Sequence, residues 1–291
     1  MTERLLLCTD LDRTLLPNGP QPESPGAREQ LAKALARPGV RLVFVTGRHR
    51  QLVLDAIQEY QLPLPDYVVG DVGTSIYSIE RGEWRAWPSW REEIGASWHG
   101  MNSDNLAELF DDIRALRIQE DDKQNAFKLS YYAVSDLDVA ALRGEMQQRL
   151  AKLKLEASLI WSVDETTDTG LLDVIPPAAT KLHAIEFIMR SIGFPAELAL
   201  YAGDSGNDLP VLTSPLRAVL VANATREVRE EALRLARDHG TQDALYLARG
   251  GFLGMNGNYA AGILEGIAHY LPSSRRWWTD HPVTATRAVF P

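Results

Sequence analysis

The chain has 291 residues, with 30 Lys and Arg against 39 Asp and Glu, and its formal net charge is −9. This length predicts about two domains. An apolar content of 45% with 24% charged residues is typical of a globular protein and excludes wholesale disorder and a fibrous repeat. The net negative charge argues against a protein that binds nucleic acid or an anionic membrane through its overall electrostatic field. Any anionic ligand must therefore be bound by a metal ion or by a few local groups.

Cysteine usage and hydropathy predict the compartment. Cys8 is the only cysteine, so no intrachain disulfide can form, which suits a reducing environment. The apolar run near the N-terminus meets Asp10 after a few residues and is too short for a signal sequence. No later run approaches the ~18 apolar residues of a spanning helix. We expect a cytoplasmic protein with no membrane partner.

The first 87 residues alternate short apolar runs with segments of helical period. Strands are predicted at residues 5–9, 40–45 and 67–70, with helices at 26–37 and 52–60. This βαβα order is typical of a parallel sheet. Two further runs, 74–79 and 83–87, alternate in the manner of a hairpin around Arg81-Gly82.

The composition changes between about residues 88 and 168, where tryptophans concentrate. Helices are predicted there at 104–116 and 136–153, with strands at 127–134 and 159–163. We interpret residues 88–168 as an α+β unit inserted into a domain formed by residues 1–87 and 169–291.

The alternation of strands and helices resumes after the insert. Strands are predicted at 171–175, 198–202, 218–221 and 245–248, and helices at 181–192, 226–238 and 259–271. The expected fold class is therefore α/β, a parallel-sheet core with a smaller inserted α+β domain.

Two acidic turns follow predicted strands. Asp10-Leu11-Asp12-Arg13-Thr14 comes after the first strand, and Gly203-Asp204-Ser205-Gly206-Asn207-Asp208 follows the strand at 198–202. Ligands of open α/β sheets bind at the carboxyl edge, and carboxylates that approach closely need a cation between them or a shared proton. Each turn alone has a plain structural reading as an acidic loop. Together they predict a site for Mg²⁺, which prefers hard oxygen ligands.

Two further features suit a phosphate group. Thr46-Gly47-Arg48 ends the strand at 40–45, where a hydroxyl and adjacent amides can hold phosphate oxygens and Gly47 lets the backbone come near. Lys181 begins a predicted helix, where its charge opposes the helix dipole, and this placement indicates a ligand. A surface arginine and a solvated lysine are the alternative readings.

The four motifs and their order resemble those of the haloacid dehalogenase-like (HAD) phosphatases. Within that superfamily the chain is most similar to the sucrose-phosphate phosphatase group, on account of Lys128-Leu129-Ser130-Tyr131-Tyr132 and the run from Gly257 to Gly266. The resemblance implies a HAD-like Rossmannoid core with an inserted αβ cap that determines substrate specificity.

The resemblance also implies the catalytic roles. Asp10 would attack phosphorus and become a transient aspartyl-phosphate, and Asp12 would protonate the leaving oxygen and later accept a proton from water. Mg²⁺ would be bound by Asp10, the Asp12 carbonyl and Asp204, with Asp208 as a ligand or beside the ligands.

Phosphate binding is assigned by the same resemblance. Thr46, Gly47, Arg48 and Lys181 would contact the phosphoryl group or the substrate, and Asn207 would position Lys181 or a phosphate oxygen. The family usually has glycine after the motif lysine, whereas Leu182 follows it here.

The cap should contact the leaving group. Strand alternation puts Lys128 and Ser130 on one face and Tyr131 on the other, and we expect the former pair to face the ligand. His49 stands where the sucrose-phosphate group often has serine, so contacts to the substrate are expected to differ.

The function that the resemblance implies is hydrolysis of a sugar phosphate, with sucrose 6-phosphate as first candidate. Mannosylfructose phosphate, glucosylglycerol phosphate and mannosylphosphoglycerate are alternative substrates. A non-hydrolytic module that binds sugar phosphates and tethers a glycosyltransferase is a different class of function, and a phosphomutase is a third option. Association with a sugar-phosphate synthase is a further hypothesis, and we expect a monomer.

Overall fold

Two β-sheets organise the chain, and the computed structural model describes residues 3–164 and 167–278. The strands are β1 (Leu5–Thr9), β2 (Val40–Val45), β3 (Tyr67–Gly70), β4 (Ser75–Glu80), β5 (Glu83–Ala86), β6 (Arg117–Ile118), β7 (Leu129–Val134), β8 (Ser158–Asp164), β9 (Thr169–Ile175), β10 (Ala199–Gly203), β11 (Ala218–Leu220) and β12 (Leu245–Leu247). The α-helices are α1 (Ala27–Leu35), α2 (Arg50–Glu59), α3 (Pro88–Gly95), α4 (Ser103–Phe110), α5 (Val139–Lys152), α6 (Lys181–Ile192), α7 (Leu209–Leu212), α8 (Arg226–His239) and α9 (Ala260–Tyr270).

The large sheet confirms the predicted α/β core. Its order is β12-β11-β10-β1-β2-β3-β4-β5, parallel from β12 to β3 and antiparallel through the β4–β5 hairpin. Alternate residues of the buried strand β1 enter two hydrophobic clusters on opposite faces of the sheet. Helices α1, α2 and α9 cover one face, and α3, α6, α7 and α8 cover the other. Both faces are thus closed to water, as a parallel sheet requires.

The small sheet belongs to the inserted unit. It is antiparallel, with the order β6-β7-β9-β8, and its apolar face packs with α4 and α5 around Trp98, Phe110 and Met146. This is the α+β unit that the sequence predicts. Within the described ranges, no helix combines the length and the apolarity that a bilayer crossing requires.

The predicted boundary of the insert at residue 169 is wrong. Strand β9, predicted to resume the core, pairs on both sides with cap strands, Ser130 opposite Asp173 and Trp161 opposite Leu172. An alternating apolar strand shows which of its faces is buried but carries no information about its partner strands. The chain returns to the core at Ile175, which is buried in a cluster of the large unit.

The start of the insert also differs from the prediction at residue 88. Helix α3 packs on the large sheet, where Trp90 is fully buried and its Nε1 donates a hydrogen bond to the carbonyl oxygen of Gly73 at 3.1 Å. Trp98 is the first large side chain in the cap core. Of the range assigned to the core, residues 1–2 and 279–291 lie outside the described residues.

Helix α6 places a functional residue by its capping. Thr180 Oγ1 accepts a hydrogen bond from the His183 amide at 3.1 Å, so the helix begins at Lys181. Gly193, with φ of 61°, ends it in the left-handed conformation that glycine adopts without strain. The N-terminus of α6 therefore presents Lys181 at the carboxyl edge of the large sheet.

A pair of glycine substitutions tests the place of β9 in the cap. A Cβ at Gly170 would collide with the Trp161 ring and lie 3.2 Å from the Ala133 carbonyl oxygen, so Gly170→Ala is expected to cost about 1–3 kcal/mol of stability. Gly144→Ala is the matched control, because a Cβ there meets nothing within 4 Å and alanine in a helix gains about 0.5–1 kcal/mol over glycine. Thermal unfolding measures both, and equal effects of the two substitutions would contradict the packing of β9.

Candidate active site

The predicted motifs meet at one edge of the large sheet. Strands β10, β1 and β2 are neighbours and run parallel, so the residues that follow them lie side by side. Asp10 follows β1, Thr46 follows β2, and Asp204 follows β10. Lys181 reaches the same place from the start of α6.

Lys181 joins two of the buried carboxylates. Its Nζ lies 3.2 Å from Asp10 Oδ1 and 2.7 Å from Asp208 Oδ1, and Asn207 Oδ1 lies at 3.5 Å. Lys181, which lacks the following glycine that is usual in the family, therefore lies beside the predicted nucleophile. Burial lowers the pKa of Lys181, but the charges of Asp10 and Asp208 outweigh burial and raise it above its ordinary value.

The three carboxylates form a group of the kind that can bind a metal ion. One oxygen from each of Asp10, Asp204 and Asp208 lies within 4.8 Å of the other two, and all three side chains are buried. Burial raises the pKa of Asp10 to about 7, with Lys181 opposing and the neighbouring carboxylates adding to the shift. Burial and the charge of Asp208 raise the pKa of Asp204 to about 6. Lys181 lies between Asp10 and Asp208, and the Thr14 hydroxyl donates to Asp204 Oδ1 at 2.9 Å. Three carboxylates this close together still carry excess negative charge, which fits Mg²⁺, a hard cation.

Asp208 organises the loop around it. Its Oδ2 accepts hydrogen bonds from the amides of Asp204 and Ser205 and from the Ser205 hydroxyl, each at 3.0 Å. Its Oδ1 accepts from Lys181 and from the hydroxyl of Tyr201 at 2.5 Å. Burial raises the pKa of Asp208, but these donors outweigh it and hold the pKa below its ordinary value. Asp208 thus holds the loop and Lys181 in place, and of the predicted metal ligands it has the fewest free lone pairs.

Tyr201 is a site residue that the sequence analysis missed. It is fully buried in β10, beneath the acidic loop, and its hydroxyl reaches Asp208. The signal was available, since a tyrosine within a strand buried on both faces needs a partner for its hydroxyl.

Asp12 is paired with Arg48. The guanidinium donates from Nη2 to Asp12 Oδ1 at 2.6 Å and from Nε to Oδ2 at 2.9 Å, and Asn18 Nδ2 adds a third hydrogen bond at 2.7 Å. Burial raises the pKa of Asp12, but the Arg48 bonds and charge outweigh it, so the pKa lies below its ordinary value. The acid role that the resemblance gives to Asp12 needs a carboxyl that holds a proton near neutral pH, and this requirement is not met while Arg48 is in this position.

Thr46 and Gly47 lie at the same edge of the sheet, where the amides of Thr46 and Arg48 already donate hydrogen bonds. The Thr46 amide donates to the Val69 carbonyl at 2.9 Å, and Thr46 Oγ1 accepts from the Arg48 amide at 3.2 Å. Among the described residues no acceptor takes the Thr46 hydroxyl hydrogen, which is free for a ligand. Gly47 is exposed at this edge of the sheet.

The predicted cap residues form a network of their own. Ser130 Oγ donates to Asp173 Oδ1 at 2.5 Å, and Lys128 Nζ donates to Ser130 Oγ and to the Lys123 carbonyl, each at 2.7 Å. Lys128 and Ser130 share a face, as predicted, and both are buried, while Tyr131 packs in the cap core on the other face. Asp173, which the sequence analysis missed, is the member of the network with Oδ2 unpaired among the described residues.

Comparison with known proteins agrees with this geometry. A relative from Nitrosococcus oceani described as a HAD-like hydrolase is 55% identical over 278 residues, covering 95% of this chain and 74% of its own length. The mannosylfructose-phosphate phosphatase of Agrobacterium fabrum is 28% identical over 230 residues, 79% of this chain and 82% of that protein. The sucrose-phosphatase of Synechocystis sp. PCC6803, solved with sucrose and phosphate, has a TM-score of 0.69 at 25% identity and covers 92% of this chain and 98% of that one.

The fold is that of the HAD hydrolases, with several aspartates and one lysine at the carboxyl edge of the parallel sheet. A family model described as sucrose-6F-phosphate phosphohydrolase matches residues 3–271. The chain belongs to this family, a group of HAD phosphatases.

The acidic cluster predicts how stability depends on pH. The pKa values of Asp10, about 7, and Asp204, about 6, lie above the unfolded values of about 4. Between the unfolded and folded pKa values the folded state binds more protons than the unfolded state, so stability without metal should fall as the pH rises from about 4 to 7. Mg²⁺ should therefore raise the melting temperature more at pH 8 than at pH 5.

Thermal unfolding at both pH values, with a chelator and with Mg²⁺, measures this effect. The downward pKa shifts of Asp12 and Asp208 act below about pH 4 and leave this window unaffected. The double variant Asp10→Asn, Asp204→Asn is the control and should weaken the pH dependence, leaving the contribution of other buried acids such as Asp71. A Mg²⁺ effect of equal size at the two pH values would contradict the assignment of raised pKa values to this cluster.

Proposed function

We propose that the protein is a magnesium-dependent phosphatase that hydrolyses the phosphate ester of a small disaccharide, with sucrose 6-phosphate as the first candidate. The observation that carries the proposal is a buried carboxylate, Asp10, held by Lys181 beside two further carboxylates. Membership in the sucrose-6F-phosphate phosphohydrolase family and similarity to mannosylfructose-phosphate phosphatase support a sugar phosphate substrate. Mannosylfructose phosphate and glucosylglycerol phosphate are the nearest alternatives.

Asp10 is the nucleophile. Its Oδ1 accepts from the Leu11 amide at 2.9 Å and lies against Lys181, so Oδ2 is without a donor among the described residues. That oxygen attacks phosphorus in line, and the bond from phosphorus to the leaving sugar oxygen breaks as the aspartyl-phosphate forms. Water then attacks the intermediate and releases inorganic phosphate.

Asp12 moves the protons of both steps. It donates a proton to the departing sugar oxygen and takes one from the attacking water. Because Arg48 favours the ionised form of Asp12, proton donation requires that the guanidinium leave Asp12. A substrate anion beside Thr46 offers Arg48 another partner, and exchange of partners would release Asp12 when the substrate is bound.

The negative charge of the phosphoryl group is stabilised by side chains that already lie at the site. Lys181 and the Thr46 hydroxyl face the position of the phosphoryl oxygens, and electrostatic stabilisation of this kind dominates phosphoryl transfer. Asp10, Asp204 and the Asp12 carbonyl would hold Mg²⁺, which supplies further positive charge to those oxygens. Asp208, through its bond to Lys181, fixes the lysine in the site.

Phosphate release from a panel of sugar phosphates tests the proposal. We expect Mg²⁺-dependent turnover that is strongest on one disaccharide phosphate and is abolished by a chelator. Asp10→Asn keeps the shape of the side chain and removes the attacking charge, so release should nearly vanish while circular dichroism stays unchanged. Turnover retained in Asp10→Asn would contradict the covalent scheme, and silence of the unsubstituted protein on every ester would favour a binding module.

Substitution of Asp12 separates proton transfer from attack. Asp12→Asn should lower the rate on a sugar phosphate, a poor leaving group, by about 10² to 10⁴. The loss in the first step should be smaller on p-nitrophenyl phosphate, because its leaving group departs without a proton. Pre-steady-state release of p-nitrophenol measures that step, and equal losses on the two esters would count against a proton-transfer role.

A further inference from the structure

The turn after β3 brings the two units together beside the active site. Its residues Asp71, Val72 and Gly73 have φ values of 52°, 57° and 92°, three consecutive left-handed conformations. The Asp71 amide donates to the Arg48 carbonyl at 3.0 Å, so the turn lies against the predicted phosphate loop. From the cap, Asn125 Nδ2 donates to Thr74 Oγ1 at 2.8 Å. A turn held in a left-handed conformation by two non-glycine residues costs free energy and is characteristic of functional sites.

Asp71 is a buried carboxylate without a cation of its own. Its exposed fraction is 7%, and no Lys, Arg or His nitrogen of the described residues lies within 4.0 Å of it. Its side chain bonds to Ser75, and burial raises its pKa. The charged and titratable groups that act on it are Lys128 and Asp173 of the cap and His49 of the core.

The nearby lysine compensates Asp71 only in part. Lys128 Nζ directs its hydrogen bonds to Ser130 and to the Lys123 carbonyl, and it lies 3.4 Å from Asp173 Oδ1. The charge of Lys128 is therefore shared with Asp173, and Asp71 adds a second carboxylate at the junction of cap and core. A buried carboxylate is costly unless a donor satisfies it.

We propose that Asp71 is a specificity-determining residue that accepts a hydroxyl hydrogen of the leaving group and repels leaving groups that carry a carboxylate. The inference rests on the proposed phosphatase function. With the phosphoryl group between Asp10 and Thr46, the rest of the substrate extends toward the cap, past the Arg48 loop and the turn that contacts it. Sugar hydroxyls donate well to carboxylates, whereas two like charges brought together at an interface cost several kcal/mol.

The charge pattern identifies a substrate class. Neutral glycosyl and polyol phosphates satisfy Asp71 and the free Oδ2 of Asp173 by donating hydroxyl hydrogens. Phosphorylated sugar acids place a negative charge beside both. Of the substrates considered from sequence, mannosylphosphoglycerate is therefore disfavoured, and the neutral disaccharide phosphates are favoured.

A matched pair of substrates tests the role of Asp71. Sorbitol 6-phosphate and 6-phosphogluconate are both open-chain six-carbon phosphates, and they differ only in carrying a hydroxymethyl group or a carboxylate at C1. In Asp71→Asn the ratio of kcat/KM for the neutral over the acidic ester should fall by about tenfold or more. Asparagine adopts positive φ readily, so the turn is preserved. Glu108→Gln, which removes an exposed cap carboxylate away from this junction, is the control and should leave the ratio unchanged.

Three outcomes of the kinetic test are distinguishable. Turnover of p-nitrophenyl phosphate retained in Asp71→Asn, with a lowered ratio, supports the inference. An unchanged ratio overturns it. An equal loss on all three esters also overturns it, because that pattern belongs to a general structural role.

Binding separates failure of the inference from failure of the proposed function. If the unsubstituted protein hydrolyses no ester, the function is contradicted, and calorimetric Kd values of the two sugar phosphates in Asp10→Asn, with and without Asp71→Asn, still test the charge selectivity. A neutral-over-acidic Kd preference that Asp71→Asn abolishes supports the role of Asp71. Equal Kd values for the two ligands in Asp10→Asn overturn it.

Discussion

Repulsion among buried carboxylates, opposed by Lys181 between two of them and by Arg13 near the third, is the constraint on which the site depends. Asp10, Asp204 and Asp208 would separate or take up protons if Lys181 did not lie between two of them. The nearby positive charge neutralises the carboxylates only in part, because the pKa values of Asp10 and Asp204 are still raised. A site left with excess negative charge binds a divalent cation readily, and the cation in turn allows a phosphate dianion to approach.

The fold supplies this arrangement from neighbouring parallel strands and one capped helix. Burial of both faces of the large sheet leaves its edges as the place for polar groups, so the aspartates follow strands rather than lie within them. The Thr180 cap fixes the first residue of α6 and therefore the position of Lys181. Tyr201, one layer below, supports the loop through Asp208. The chemistry thus rests on backbone elements that the hydrophobic clusters hold rigid.

The α/β core could be predicted because apolar strands alternate with helices along the sequence. The convergence of the four motifs could be predicted because residues that follow neighbouring parallel strands lie at the same edge of the sheet. The partners of β9 could not, since the alternation of Leu171 to Ile175 is satisfied by any sheet that buries one face. The Arg48–Asp12 pair and the Asp173 network depend on side-chain directions that spacing does not determine. The role of Asp71 was missed because the sequence of the four-residue strand β3 and its turn does not indicate that the Asp71 carboxylate is buried. Association with a synthase, the monomeric state and the cytoplasmic location stay predictions.

The position of β9 determines where cap domains can be exchanged between related proteins. This strand lies between β7 and β8 in the cap and ends six residues before Lys181, so one short stretch of chain carries both Asp173 and the motif lysine. A cap transplanted between relatives would need its second junction after Ile175. A junction before Thr169 would remove an inner strand from the transplanted sheet and leave the donor's α5 and β8 without the partner against which they fold.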